Sequence, residues 1–151
     1  RLAQFASFMV QTQSLLSRLI DCKTIEDLIA VFSTITTSPY WESHYMFDKP
    51  TIKVIKKLGT NAVNLLLINA ILPFLFVYGR ATDNDTLCNR VLDFFSKIPG
   101  EVNTITKKWK AAGMDVRTAF NTQALIGLKN DYCDHKRCLE CRIGIYLIKV
   151  P

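Results

Sequence analysis

The chain has 151 residues, of which 49% are hydrophobic and 21% charged, with six glycines and five prolines. This excludes a disordered or low-complexity segment and matches the size of one domain with its own core. The net charge of +6 leans toward polyanionic partners and is uneven: residues 1–50 carry four basic and five acidic groups, residues 101–151 nine and five.

Residues 2–20 read as a helix, with Leu2, Phe5, Ala6, Met9, Leu16, Leu19 and Ile20 at helical intervals. Thr24 and Asp27 form a capping-box pair opening a second helix that buries Ile25, Leu28, Ile29, Phe32 and Ile35. After Thr36–Pro39, the aromatic run Tyr40–Phe47 reads as a short helix or an extended segment. Its rings read as packing in preference to base-stacking platforms, and His44 as a hydrogen-bonded, partly buried histidine. Lys49, Lys53, Lys56 and Lys57 form a basic run, and Thr60 or Asn61 caps the next helix. From Ala62 to Tyr78 the chain is almost continuously apolar. It is short for a bilayer span and contains Pro73, so the expectation is no membrane segment but a buried central helix. Pro73 should kink or split that helix, and Asn69 should need a buried partner.

Asp85 or Thr86 caps a helix through Lys97, with Leu87, Cys88, Val91, Leu92 and Phe95 inward. Beyond Pro99-Gly100, Val102, Ile105, Trp109 and Ala112 form one stripe, with Lys107, Lys108 and Lys110 off it and Gly113 as the C-terminal cap. Asp115 caps a last long helix with Val116, Phe120, Ala124 and Leu128 on one face. Ile143–Val150 is apolar enough to pack back on the core. No β alternation is sustained, so the expected fold class is all-α: a single helical domain over 1–151, of six or seven helices, with a cysteine-containing C-terminal loop. The first residue is Arg, so the chain is expected to be a fragment of a longer protein.

The chemistry concentrates in Tyr132–Gly144, which holds three of the five cysteines. Cys138 and Cys141 form a C-x2-C pair, a spacing that lets one turn offer two thiolates to a metal, and Cys133 is close enough along the chain to join them. The expected ion is zinc, with His135 as the nearest fourth ligand and Asp134, His44, Cys22 and Cys88 as alternatives. An iron–sulfur cluster fits less well, since no cysteine follows Cys141. Inert buried thiols, or thiols activated by Lys136, Arg137 and Arg142, remain open beside the metal reading. The odd cysteine count favours a reducing, cytoplasmic setting. Lys107, Lys108, Lys110, Lys136, Arg137 and Arg142 are the candidate phosphate contacts of a nucleic-acid surface. No paired carboxylates, phosphate loop or Ser-His-Asp arrangement is evident, which leans against catalysis by this chain.

Several segments together carry a resemblance: Arg1-Leu2-Ala3-Gln4-Phe5, Tyr40-Trp41 with His44-Tyr45, Leu58-Gly59 through Ile68-Asn69 to Pro73-Phe74-Leu75-Phe76 and Tyr78-Gly79, and Tyr132-Cys133 through Cys138-Leu139 and Cys141 to Ile143-Gly144. They resemble the C-terminal part of an uncharacterised bacterial family, the domain of unknown function 2851 family, across essentially the whole chain. The resemblance implies a preceding nuclease-like part that would hold any catalytic carboxylates and on which this domain would pack. Asn121–Leu128 followed by Cys133, Cys138 and Cys141 is also locally similar to the helix and cysteine loop ending the iron–sulfur DNA glycosylases, which implies a glycosylase-like alternative. Three readings follow: a non-catalytic accessory domain touching nucleic acid, a structural or interaction domain, and a thiol-based or glycosylase-like enzyme.

Overall fold

The computed structural model describes residues 6, 10, 14–33, 35, 37–54 and 57–149. Among them the fold is all-α in character, with eight helices and one two-stranded antiparallel ribbon. In chain order these are α1 (Leu15–Asp21), α2 (Ile25–Ser33), α3 (Pro39–Glu42), β1 (His44–Met46), β2 (Lys49–Pro50), α4 (Thr60–Ala81), α5 (Asp85–Lys97), α6 (Thr104–Ala111), α7 (Ala119–Leu128) and α8 (Arg142–Lys149). They form two compact units, 1–94 and 95–151. The expected helical positions Leu2, Phe5 and Met9, together with Lys56 and Val150, lie outside the described residues.

In the first unit the box read from the sequence closes in both directions. The Thr24 N–H donates to Asp27 Oδ2 at 3.0 Å and the Asp27 N–H to Thr24 Oγ1 at 3.1 Å. The hydroxyl and backbone of Thr24 hold the Asp27 carboxyl below its ordinary pKa. The helix so started, α2, buries Leu28 and Phe32 against the first turns of α4. The aromatic run supplies both elements that were open as alternatives, α3 and then β1. His44 stacks on Tyr40 with centroids 4.0 Å apart, its Nδ1 lies 2.9 Å from the Tyr40 carbonyl, and the Tyr40 hydroxyl accepts the Asp48 N–H at 3.0 Å. Tyr40 thus packs against both Trp41 and His44, while Tyr45 and Phe47 of the same run are exposed.

Helix α4 buries Val63, Leu67, Ile68, Leu72 and Leu75. Over Leu67–Ile71 its turn widens, and the Leu72 N–H reaches back to the Leu67 carbonyl. Pro73 has no N–H for the carbonyl at position 69, and its ring would strike that carbonyl in a regular α-turn. The wider turn relieves both problems, so of the kink or split expected of Pro73 the split does not occur and the helix continues. Asn69 is exposed and donates from Nδ2 to the Leu65 carbonyl at 3.0 Å, which replaces the buried partner expected for it. Leu65, Phe74 and Val77 are also exposed, so α4 has two faces and is not enclosed. By length and composition it would reach across a bilayer, a criterion that core helices of soluble proteins also meet.

The cap of α5 is Asn84, whose Oδ1 accepts the Leu87 N–H at 3.0 Å, one residue before the expected position. Phe94 turns inward with Leu87, Cys88 and Val91, while Leu92 is exposed and Phe95 half-buried. Arg90 closes the end of α1 by donating from Nη2 to the Ile20 carbonyl at 2.7 Å, across a separation of 70 residues that no local pattern could signal.

In the second unit, residues 98–100 lie antiparallel to 117–119: the Gly100 N–H donates to the Arg117 carbonyl and the Ala119 N–H to the Ile98 carbonyl, both at 2.8 Å. This pairing keeps the chain extended up to Thr118, which becomes the cap of α7 by accepting the Asn121 N–H at 3.3 Å. Asp115, the expected cap, instead accepts the Arg117 N–H at 2.9 Å and its guanidinium at 3.0 and 2.8 Å. The shift rotates the buried stripe to Ala119, Thr122 and Leu125 and leaves Phe120 and Ala124 exposed. Thr122 can be buried because its hydroxyl lies 3.2 Å from the carbonyls of Thr118 and Ala119 and 3.3 Å from the Glu101 N–H it accepts. Likewise α6 buries Thr106, locked in a capping box with Asn103, while Val102 and Ala112 of the expected stripe are exposed. Gly113 ends α6 with a φ of 84°, as expected of a C-terminal cap.

Candidate functional site

The cysteine segment is built by the end of α7. Its last turn widens over Lys129–Cys133, and the Asp134 N–H reaches back to the Lys129 carbonyl at 2.9 Å. The chain then closes in a Schellman arrangement: the Lys136 N–H donates to the Cys133 carbonyl at 3.1 Å and the Arg137 N–H to the Tyr132 carbonyl at 2.9 Å. The residue at the left-handed position of this motif is Lys136, with φ 54°. Glycine is the usual occupant there, and a lysine costs about 1–2 kcal/mol. Two further turns follow, with the Glu140 N–H on the Arg137 carbonyl and the Cys141 N–H on the Cys138 carbonyl. Gly144 then sits so close to this loop that a Cβ built on it would lie 2.3 Å from the Cys138 carbonyl oxygen. The glycine in the C-x2-C-x2-G run is thus what lets α8 lie against the turn.

Cys133, Cys138 and His135 are exposed and Cys141 is buried. Among the described residues, no three His, Cys, Asp or Glu side chains are gathered to hold a metal ion. Within the C-x2-C turn Cys138 is exposed and Cys141 is buried. The alternative fourth ligands have other engagements. Cys22 donates to the Arg18 carbonyl and Cys88 to the Phe76 carbonyl, and His44 is stacked on Tyr40. Burial pushes the Cys22 thiol above its ordinary pKa, the opposite of activation.

The cations divide into two groups. Arg117 pairs with Asp115 at 2.8 Å, Lys129 with Asp134 at 2.5 Å, and Arg137 with Glu140 while its guanidinium lies 5.5 Å from the centre of the Tyr132 ring. The Arg137 hydrogen bonds lower the Glu140 carboxyl and raise the guanidinium. Lys107, Lys108, Lys110, Lys136 and Arg142 are exposed and have no ion-pair partner among the described residues. Of the six expected phosphate contacts, five are therefore uncommitted and Arg137 is not. The three lysines of α6 are exposed on a helix whose buried residue is Thr106.

Searches of curated proteins and of solved structures returned no match. A family model for a protein of unknown function, DUF2851, matches residues 1–104. The match spans the first unit and the start of the second, and the cysteine segment and the uncommitted cations lie beyond it. With that share of its length matched, the chain belongs to the DUF2851 family.

Proposed function

We propose that the protein is a helical accessory module, working in the reducing cytoplasm, that contacts nucleic acid through phosphate-binding cations of its second unit. The observation that carries the reading is the set of five exposed, unpaired cations. They sit in a unit with ten basic and five acidic residues, in which Arg117, Lys129 and Arg137 have already found carboxylates. A polyanion satisfies what the fold leaves unmatched, and release of its counterions drives the association. Lys136 adds weight, since a residue held in a costly backbone conformation marks a place where something other than stability is kept.

Binding of a mixed-sequence duplex, followed by fluorescence anisotropy as salt is raised, tests this. The slope of log affinity against log salt should fall between about −2.7 for the α6 lysines alone and about −4.5 for all five cations. Reversing charge in a Lys107→Glu/Lys108→Glu variant should make the slope shallower by about 2. Unchanged affinity in that variant rejects the surface.

A second reading, an interaction domain packed on a further part of its own polypeptide, is favoured by the exposed apolar side chains of the ribbon and its sequel, Tyr45, Met46, Phe47, Ile52 and Val54. Hydrogen exchange across residues 44–54, compared between this chain and the whole polypeptide, tests it. Equal exchange in both removes the reading.

A further inference from the structure

Helix α8 is turned the opposite way from an ordinary amphipathic surface helix. Its half-buried positions are Gly144 and Ile145, while Ile143 is 47%, Tyr146 68% and Leu147 66% exposed. The expected packing of this stretch back onto a core is therefore not what its outer face does. The rotation is fixed by the fold: only glycine fits against the Cys138 carbonyl, and the Ile145 N–H donates to the Cys141 carbonyl at 2.8 Å. With the smallest residue held inward, positions 143, 146 and 147 form an outward ridge at i, i+3 and i+4. Leu139, on the preceding turn, is exposed as well.

The rim of this ridge is positive and uncommitted. Arg142 stands one helical turn from Tyr146, and Lys136 is presented by the loop before it. The acids nearest to them in sequence are already engaged, Asp134 by Lys129 and Glu140 by Arg137. The ridge offers the bases of a nucleic acid a single aromatic ring, Tyr146, set among aliphatic side chains that neither stack nor hydrogen-bond. A second copy of the chain would bring like-charged units together, since residues 95–151 carry ten basic and five acidic groups. The chemistry that fits is apolar side chains flanked by carboxylates.

We propose that α8 is a docking surface for an acidic amphipathic helix of a partner protein, which lays its apolar face on Ile143, Tyr146 and Leu147 and its carboxylates on Arg142 and Lys136. This does not rest on the nucleic-acid reading, for which the α6 lysines suffice.

The test is selection of a phage-displayed random peptide library on the intact chain, with counter-selection on a Tyr146→Glu variant. The expected winners carry apolar residues at i, i+3 and i+4 with flanking Asp or Glu. The best of them, synthesised, should bind at least about tenfold more weakly to Tyr146→Glu, with duplex binding unchanged in that variant, and severalfold more weakly to Arg142→Glu. Circular dichroism checks that the variants fold. Winners that are basic, that lack the apolar spacing, or that bind Tyr146→Glu equally well overturn the proposal. So does sedimentation of a dimer that Tyr146→Glu dissociates, or Tyr146-dependent binding to phosphatidylglycerol vesicles. Loss of duplex binding in Lys107→Glu/Lys108→Glu leaves it untouched.

Discussion

Replacing Gly144 with alanine probes the contact that seats α8. The new methyl would start 2.3 Å from the Cys138 carbonyl oxygen and 3.0 Å from its carbon, where ordinary van der Waals contact needs 3.4–4 Å. The atoms in the way are backbone, held in a turn by the Cys141 N–H on that same carbonyl, so no side chain can swing aside. Relief requires α8 to move by roughly 1 Å, and overpacking of this kind costs about 1–3 kcal/mol. Alanine returns about 0.5–1 kcal/mol as the better helix former, which leaves a net loss of up to about 2.5 kcal/mol. Much of α8 is exposed, so undocking it costs less than unfolding the chain. The expected result is a melting temperature lowered by only a few degrees, with amide protection lost across 142–149 and beginning at the Ile145 N–H. Circular dichroism melting together with hydrogen exchange measures both. A Gly144→Ala variant that melts higher, with α8 better protected, refutes the close approach and with it the outward setting of Tyr146.

Lys136→Gly should stabilise the chain by about 1 kcal/mol, or about 2–4 °C in melting temperature, by removing the left-handed strain, and should weaken the binding of whichever partner that cation serves; a lower melting temperature would refute the strain. The hydrogen bonds from Arg117 lower the Asp115 carboxyl from 3.8 to about 2. Because its folded value is depressed, the stabilisation it gives is present above pH 4 and lost as pH falls toward 2; an NMR titration should place the midpoint near 2, returning toward 3.8 in Arg117→Ala, and equal midpoints would remove the pairing. Asn103→Ala breaks the capping box that positions α6 and should cost about 1 kcal/mol, measured by denaturant unfolding. Leu72→Ala, at a fully buried position beside the widened turn of α4, should cost about 2–5 kcal/mol.

Features written into neighbouring residues were legible without the fold. The Thr24–Asp27 box, the Gly113 cap and the existence of the long apolar α4 follow from side chains and backbone within one or two turns of each other. The composition fixed the helical class in the same way, through spacing and the absence of sustained alternation. What the chain could not state locally was which way each helix turns. Phe94 and Phe95 are equally apolar, and packing chose Phe94. The stripe of α7 followed its cap, which moved from Asp115 to Thr118 because residues 98–100 pair with 117–119. Thr106 and Thr122 looked polar but are core residues, since their hydroxyls are satisfied by turns that form only once the chain is folded.

The same division runs through the candidate site. The sequence by itself determined that cations and cysteines gather at the C-terminal end. Tertiary structure decided which cations are spent on carboxylates, that Cys141 is buried while Cys138 is exposed, and that α8 shows its apolar side outward. Charge and cysteine content belong to residues taken singly. Pairing, burial and rotation depend on backbone contacts such as that of Gly144 with Cys138, which exist only when the chain has closed on itself.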